Sequence, residues 1–277
     1  MNKNTKKVAF QGEKGSYGEE AAHRFLEEKI STVSFDFYED IFEVVENGSA
    51  DFGVVPIENT LRGSMGEVFD LLIKSPLFIY GETEIEVDYC LIGPNEAEMK
   101  DIERIFINPE ALKQTRGFIE KRDLVVIPSY RPMERLKVSV DGNEVNTGAV
   151  FNERAAEGFD MKILEREVEM EREDFTRYLI LAKREYKKET DLNKKTSLVF
   201  QTTHEPGALL EILEEFSKRD INMTRIESQP IAGHPWVYRF FLDFEGNKKD
   251  SKVKRAFKKV KDKALFFKFL GTYPVKK

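Results

Sequence analysis

Cysteine is nearly missing. Cys90 is the only one in 277 residues, so no intrachain disulfide can form and a reducing compartment is indicated. Histidine is almost as scarce: His23, His204 and His234 lie far apart, without the Cys/His spacings that hold zinc, and no metal site is expected. No apolar run reaches the length of a membrane span, and the polar, basic residues 1–7 are not followed by the apolar core of a signal peptide. A cytoplasmic protein with no membrane partner is therefore expected. Positive charge is not in excess either: 44 Lys and Arg against 50 Asp and Glu leave a net −6, which argues against nucleic acid as the main partner. The twelve Lys or Arg against two Asp from residue 248 onward fit a solvated helix face better than an RNA-binding patch. What remains is 40% hydrophobic and 12% aromatic, enough for real cores, in a chain long enough for two or three domains.

One stretch organises the rest. Thr176, Arg177 and Tyr178 lead into the apolar strand Leu179-Ile180-Leu181, after a loop, 165–174, that carries five Glu, one Asp and two Arg. A hydroxyl beside a guanidinium combines a proton donor with a fork for a carboxylate. The plainer reading is a strand start with its Arg in solvent. Near the N-terminus, Val8-Ala9-Phe10, then Gly12 to Gly18, then Ala21, Ala22, Phe25 and Leu26 read as strand, glycine-rich turn and helix. Ser16 with Glu19 has capping-box spacing, and the helix start is either an anion site or only a cap. The glycines match neither the dinucleotide fingerprint nor the P-loop, so no nucleotide is expected. The buried strand 51–56 runs into Glu58, Asn59, Thr60, Gly63 and Ser64, a crowd of polar groups where open α/β sheets place ligands.

Residues 77–92 read as one extended passage of the kind that crosses between lobes, and Asn108-Pro109 as a helix opening. Residues 131–143 read as less regular. A charged linker spans 184–195. Beyond it a βαββαβ pattern follows, with strands at 221–231, 236–244 and 266–270 and Leu209, Leu213 and Phe216 striping its first helix.

Gly12-x-x-Gly15, Val55-Pro56-x-Glu58-Asn59-Thr60-x-x-Gly63, Pro109-x-Ala111-Leu112-x-Gln114, Gly148-Ala149 with Ala155-Ala156, and Thr176-Arg177-Tyr178 together resemble the successive signatures of prephenate dehydratases. Gly207-Ala208-Leu209-Leu210 and Glu227-Ser228-Gln229-Pro230 resemble motifs of the ACT domain joined to such enzymes. Several positions depart from the family's pattern: Asn108 for His, Asp174 for Asn, Ser129-Tyr130-Arg131-Pro132 for a Ser-Thr-Ala run, Asn152 for Ser, and Gln229 for Arg.

The resemblance implies an α/β fold: a catalytic region over 1–183, bilobed like a type II periplasmic binding protein, then the linker and an ACT domain over 196–277. Lobe 1 would comprise about 1–82 and 165–183, and lobe 2 about 83–164. It implies conversion of prephenate to phenylpyruvate without cofactor or metal. Thr176 would donate the proton and Arg177 grip a carboxylate. Ser16, Glu58, Asn59, Thr60, Gly63, Ser64 and Tyr178 would complete the substrate site. L-Phenylalanine would bind at Gly207, Ala208, Leu209, Leu210, Glu227, Ser228 and Gln229, in a homodimer or homotetramer. The alternatives are an arogenate dehydratase and an amino-acid-responsive binding protein that has lost catalysis.

Overall fold

Val8-Ala9-Phe10 and Val54-Val55 are unbroken apolar runs because their strands are covered on both faces. Strand β1 (Lys6–Gln11) lies parallel between β2 (Ile30–Phe35) and β3 (Phe52–Asn59). The computed structural model describes residues 5–170, 173–188, 193–231 and 233–276. Helices α1 (Tyr17–Phe25) and α2 (Tyr38–Glu46) make the crossovers. The two-residue β4 (Gly63–Ser64) and α3 (Gly66–Lys74) then lead to β5 (Phe78–Glu86). Among the described residues no helix is long and apolar enough to cross a membrane.

The second lobe has its own five-stranded sheet, ordered β10-β6-β9-β7-β8. Its elements are β6 (Cys90–Gly93), β7 (Arg104–Ile107), α4 (Pro109–Lys121), β8 (Val125–Pro128), α5 (Pro132–Asp141), β9 (Thr147–Phe151), α6 (Glu153–Phe159) and β10 (Lys162–Glu165). The extended passage is real: β5 ends at Glu86, and after three intervening residues β6 begins at Cys90 in the other sheet. Asn108 caps α4 by accepting the Glu110 N–H at 2.9 Å, with Pro109 in the first turn. The irregular reading of 131–143 is corrected. Pro132, Met133 and Leu136 are buried on one side of α5, and the exposed Val138 had blurred that stripe. The chain returns to lobe 1 through β11 (Phe175–Ala182), antiparallel to both β3 and β5. Glu171 and Arg172 of the preceding acidic loop, and 189–192 of the charged linker, lie outside the described residues.

The C-terminal unit follows as β12 (Lys194–Gln201), α7 (Ala208–Ser217), β13 (Met223–Pro230), β14 (Tyr238–Glu245), α8 (Ser251–Lys263) and β15 (Phe266–Lys276). Its first helix buries Ile212 and Phe216, while Leu209 and Leu213 are only half-buried. The last strand outruns the expected 266–270 by six residues, across Gly271 and Pro274, two residues that usually end strands. That extension has a structural purpose. Val275 and Lys276 pair in parallel with β5, so one sheet runs β13-β14-β12-β15-β5-β11-β3-β1-β2 through both units. Val199, Phe241, Leu270 and Tyr273 share a core with Phe69, Leu72, Leu77, Ile79 and Leu179 of lobe 1. Lys268 Nζ donates to the Leu72 and Ile73 carbonyls, both at 2.8 Å, at the C-terminus of α3. Lys276 does the same for α1 at Phe25 O, at 2.9 Å.

The two lobes meet at the glycine-rich turn. Asn152 Nδ2 donates to Gly15 O at 2.6 Å, and a Cβ on Gly15 would lie 2.6 Å from Ala155 Cα. Glu13 reaches from lobe 1 to accept the Met133 and Glu134 N–H groups at 3.1 and 2.9 Å, at the start of α5. Burial lifts its carboxyl to about 7, against those two bonds and Arg131, which pull it down.

Two outcomes follow from these contacts. A Cβ on Gly271 would sit 2.3 Å from Ile79 O, so Gly271→Ala should destabilise the protein by about 1–3 kcal/mol, read by chemical denaturation; unchanged stability would mean that β5 and β15 can separate freely. Glu13 keeps a proton in the folded state that the unfolded chain, titrating near 4.5, releases. Its stabilisation is present below that value and is lost as pH rises through about 7. The melting temperature of Glu13→Gln should therefore gain on wild type between about pH 5 and about pH 8, and a constant difference would refute the assignment.

Candidate active site

Period-two alternation decides which side chains of β11 enter the cleft. Thr176 lies opposite Asn59 and Arg177 opposite Glu58; the register then slips past Ile57, so that Tyr178 faces Pro56. Thr176 and Tyr178 line a cavity of about 180 Å³ between the lobes, together with Ser16, Tyr17, Tyr38, Arg62, Tyr89 and Glu110. It adjoins a wider recess, of about 860 Å³, whose wall includes Ser64 and Arg131.

Asn59 holds the buried Thr176 hydroxyl in place. Its Oδ1 accepts the Leu61 and Arg62 N–H groups at 3.0 and 2.8 Å, which fixes the orientation of the amide. Its Nδ2 donates to Asp174 Oδ1 at 2.6 Å and to Thr176 Oγ1 at 2.9 Å. Because Oγ1 already accepts a hydrogen bond, the Thr176 proton is left for another acceptor. Asp174 gathers the surroundings: Thr60 donates to its Oδ1 at 3.2 Å, and Gln114 of lobe 2 to its Oδ2 at 2.7 Å. Thr60 in turn accepts the Phe175 N–H at 2.9 Å. Thus Asn59 and Thr60 support the Thr176 hydroxyl from behind.

Ser16 stands at the start of α1 without capping it. Its hydroxyl donates to Gln11 O at 3.4 Å, while Glu19 accepts the Gly15 N–H at 2.6 Å. The capping box is therefore corrected to a Glu19 bridge across the turn. Four tyrosines, 17, 38, 89 and 178, supply a largely uncharged wall, their phenols pushed up by burial and so protonated at neutral pH.

The expected role of Arg177 is corrected by its direction. Alternation turns it away from the cavity, where its Nη1 lies 3.2 Å from Glu58 and its Nε 3.3 Å from the buried Glu82. Glu58 also leaves the cavity and pairs with Arg225 of the C-terminal unit at 2.9 Å. Arg225 donates to Ser64 Oγ at 2.9 Å, and Gly63, at φ 76°, completes the turn. The basic side chain in the cavity wall is Arg62, which sequence reasoning missed. Gln114 was seen only as part of a motif, and Asp174 only as a departure from a family pattern. Nothing local marks Arg62, since its role depends on the lobe opposite.

In the C-terminal unit, Gly207 takes a left-handed φ of 88° before α7, followed by Ala208, Leu209 and an exposed Leu210. Strand β13 does not turn Glu227, Ser228 and Gln229, the other residues expected to bind L-phenylalanine, to one face. Its register sets Glu227 beside Phe241, on the lobe 1 face, and Ile226 beside Leu242, on the helix face. Glu227 and Gln229 share the first face, joined at 3.3 Å, and Ser228 takes the second.

Among the described residues no group of three His, Cys, Asp or Glu could hold a metal ion. A family model for prephenate dehydratase matches residues 8–186, and one for the ACT domain residues 196–262. The prephenate dehydratase of Methanocaldococcus jannaschii is 34% identical over 275 residues, covering 98% of each chain. The bifunctional chorismate mutase/prephenate dehydratase of Aquifex aeolicus is 35% identical over 97% of this chain and 73% of its own length. Among solved structures, a prephenate dehydratase from Arthrobacter aurescens in complex with L-Phe superposes with a TM-score of 0.84 at 25% identity, covering 97% of this chain and 89% of that one. A chain described as a novel type of quorum quenching acylase, GqqA, superposes with a TM-score of 0.86 at 28% identity, covering 98% of both. From matches that run nearly end to end, the chain belongs to the prephenate dehydratase family and carries an ACT domain at its C-terminus.

Proposed function

We propose that the cleft dehydrates and decarboxylates prephenate to phenylpyruvate. The observation that carries this reading is the Asn59–Thr176 hydrogen bond at the edge of a cavity walled by tyrosines. The electron pair of the bond to the departing carboxylate moves into the ring and expels the ring hydroxyl, which takes a proton and leaves as water. Carbon dioxide is released, and aromatisation drives the step. Thr176 donates that proton. The hydrogen bond from Asn59 stabilises negative charge growing on Oγ1, and so makes a weakly acidic hydroxyl a better donor. Val54, Pro56, Ala111 and the tyrosine rings solvate the ring carboxylate less well than water does, which favours its loss.

A second role is regulation by L-phenylalanine at the ACT domain, a ligand carried by the A. aurescens relative. Gly207 to Leu210 offer backbone N–H groups and apolar contact, and Glu227 a partner for an ammonium. Within one chain Glu227 lies on the lobe 1 face of β13 while α7 packs on the other face, so the site draws on two copies. Strand β13 is the outer edge of the ten-stranded sheet, with Ile226, Leu210 and Tyr238 exposed near it, and pairing there gives a homodimer or a tetramer built from two. The enzyme works in the cytoplasm with no further cofactor.

Thr176→Val keeps the shape and removes the hydroxyl, so kcat should fall by about 10²–10⁴-fold with little change in KM. Assaying phenylpyruvate formation from prephenate, with arogenate in parallel, also separates the two dehydratase readings; near-normal turnover by the variant would move the proton donor elsewhere. Millimolar L-phenylalanine should raise the melting temperature, by roughly 2.7 kcal/mol of added stability at a hundred times its Kd, and inhibit turnover. With tyrosine as the control, neither effect appearing would reduce the ACT domain to an assembly unit.

A further inference from the structure

The charge on the cleft wall is unbalanced for its proposed substrate. Prephenate is a dianion, yet the inner cavity is lined by two acidic residues, Glu13 and Glu110, and by one basic residue, Arg62. The other arginines near by are committed. Arg131, on the outer recess, is held by Asp36 at 2.5 Å and by Glu134 at 2.5 Å. Arg177 points away, to Glu58 and Glu82. That leaves Arg62 as the basic side chain on the inner wall.

Arg62 is built into the machinery around the Thr176 hydroxyl. Its backbone N–H is accepted by Asn59 Oδ1 at 2.8 Å, and the same amide donates to Thr176 Oγ1. One side-chain amide thus holds both the Arg62 backbone and the Thr176 hydroxyl. The guanidinium crosses the cleft and pairs through Nη1 with Glu110, in the first turn of α4 in lobe 2. Arg62 is 29% exposed at its side chain and Glu110 is 65% exposed, so the acid can return to water at little cost while the arginine stays in the wall. Burial opposes its charge, but neighbours that include Glu110 and Asp174 outweigh that and favour the charged form.

We propose that Arg62 binds a carboxylate of the substrate and that Glu110 is its resting counter-ion, displaced when substrate enters. The inference rests on the dehydratase reading of the cleft. The planar fork of Arg62 can hold a carboxylate in two parallel N–H···O bonds, whereas Glu110 engages it through Nη1 alone. Displacing Glu110 releases the only ion pair described between lobe 1 and α4, so that substrate, rather than Glu110, bridges the lobes.

The test is the split between KM and kcat for prephenate in three variants of the full-length protein, with circular dichroism and melting as checks of folding. Arg62→Gln should raise KM by about ten- to a hundredfold, the loss of a charged hydrogen-bonded contact, with a much smaller change in kcat. Arg62→Lys, which keeps the charge without the fork, should fall between it and wild type. Glu110→Gln removes the competitor and should lower KM. An unchanged KM in Arg62→Gln, or a KM raised in Glu110→Gln as far as in Arg62→Gln, would overturn the proposal and leave the dehydratase reading standing. Wild type without turnover of prephenate would overturn that reading, and the anchor with it.

Discussion

A carboxylate without solvent holds this molecule together. Glu82, on β5, is fully buried, and desolvation raises its pKa in spite of Lys195 and Arg177, which favour its charge. A buried anion must be paired, and removal of one partner of such a pair commonly costs about 3–5 kcal/mol. Here the partners come from three directions: Lys195 from β12, Arg177 from β11 and the Tyr273 hydroxyl from β15. Satisfying Glu82 therefore fixes the ACT domain against the strand that carries Thr176. Arg225 adds a second tie through Glu58, with its guanidinium over the Phe69 ring at 4.8 Å.

Much of this architecture was legible. Buried parallel strands read as unbroken apolar runs, helix α4 announced itself through Asn108 and Pro109, and the C-terminal βαββαβ order followed from alternation and spacing. Thr176 could be picked out because a hydroxyl at the mouth of a buried strand is unusual. The direction of Arg177 was harder. Neighbouring residues of a strand point to opposite faces, so Thr176 and Arg177 could not both enter one cleft, and alternation alone should have separated them. What alternation could not reveal is that the far face is also buried, by a domain that begins near residue 194. Arg62 escaped for the converse reason. Its surroundings are set by Glu110, 48 positions away in another lobe.

The interface between the lobes is polar where the interface with the ACT domain is mostly apolar. Across the cleft run Glu13 to the start of α5, Asn152 to Gly15, Gln114 to Asp174 and Arg131 to Asp36, contacts that trade readily with water. Behind the cleft lie Phe69 and Phe241, with ring centroids 4.3 Å apart, and the shared core of Ile79, Leu179, Leu270 and Tyr273. Opening the first interface exposes groups that water can satisfy, and opening the second exposes apolar surface. Separating the lobes therefore costs less than separating the ACT domain from lobe 1.

The continuous sheet also bears on modularity. ACT domains suggest a detachable part, a sensor that could be cut off or exchanged between enzymes. In this chain the end of β15 is the edge protection of β5, and aromatic residues of the ACT domain fill the floor of lobe 1. A cut after β11 would not yield a smaller enzyme with its control removed. It would bare a strand edge and an unfinished core, and grafting on a different sensor would require the acceptor lobe to be repacked to match.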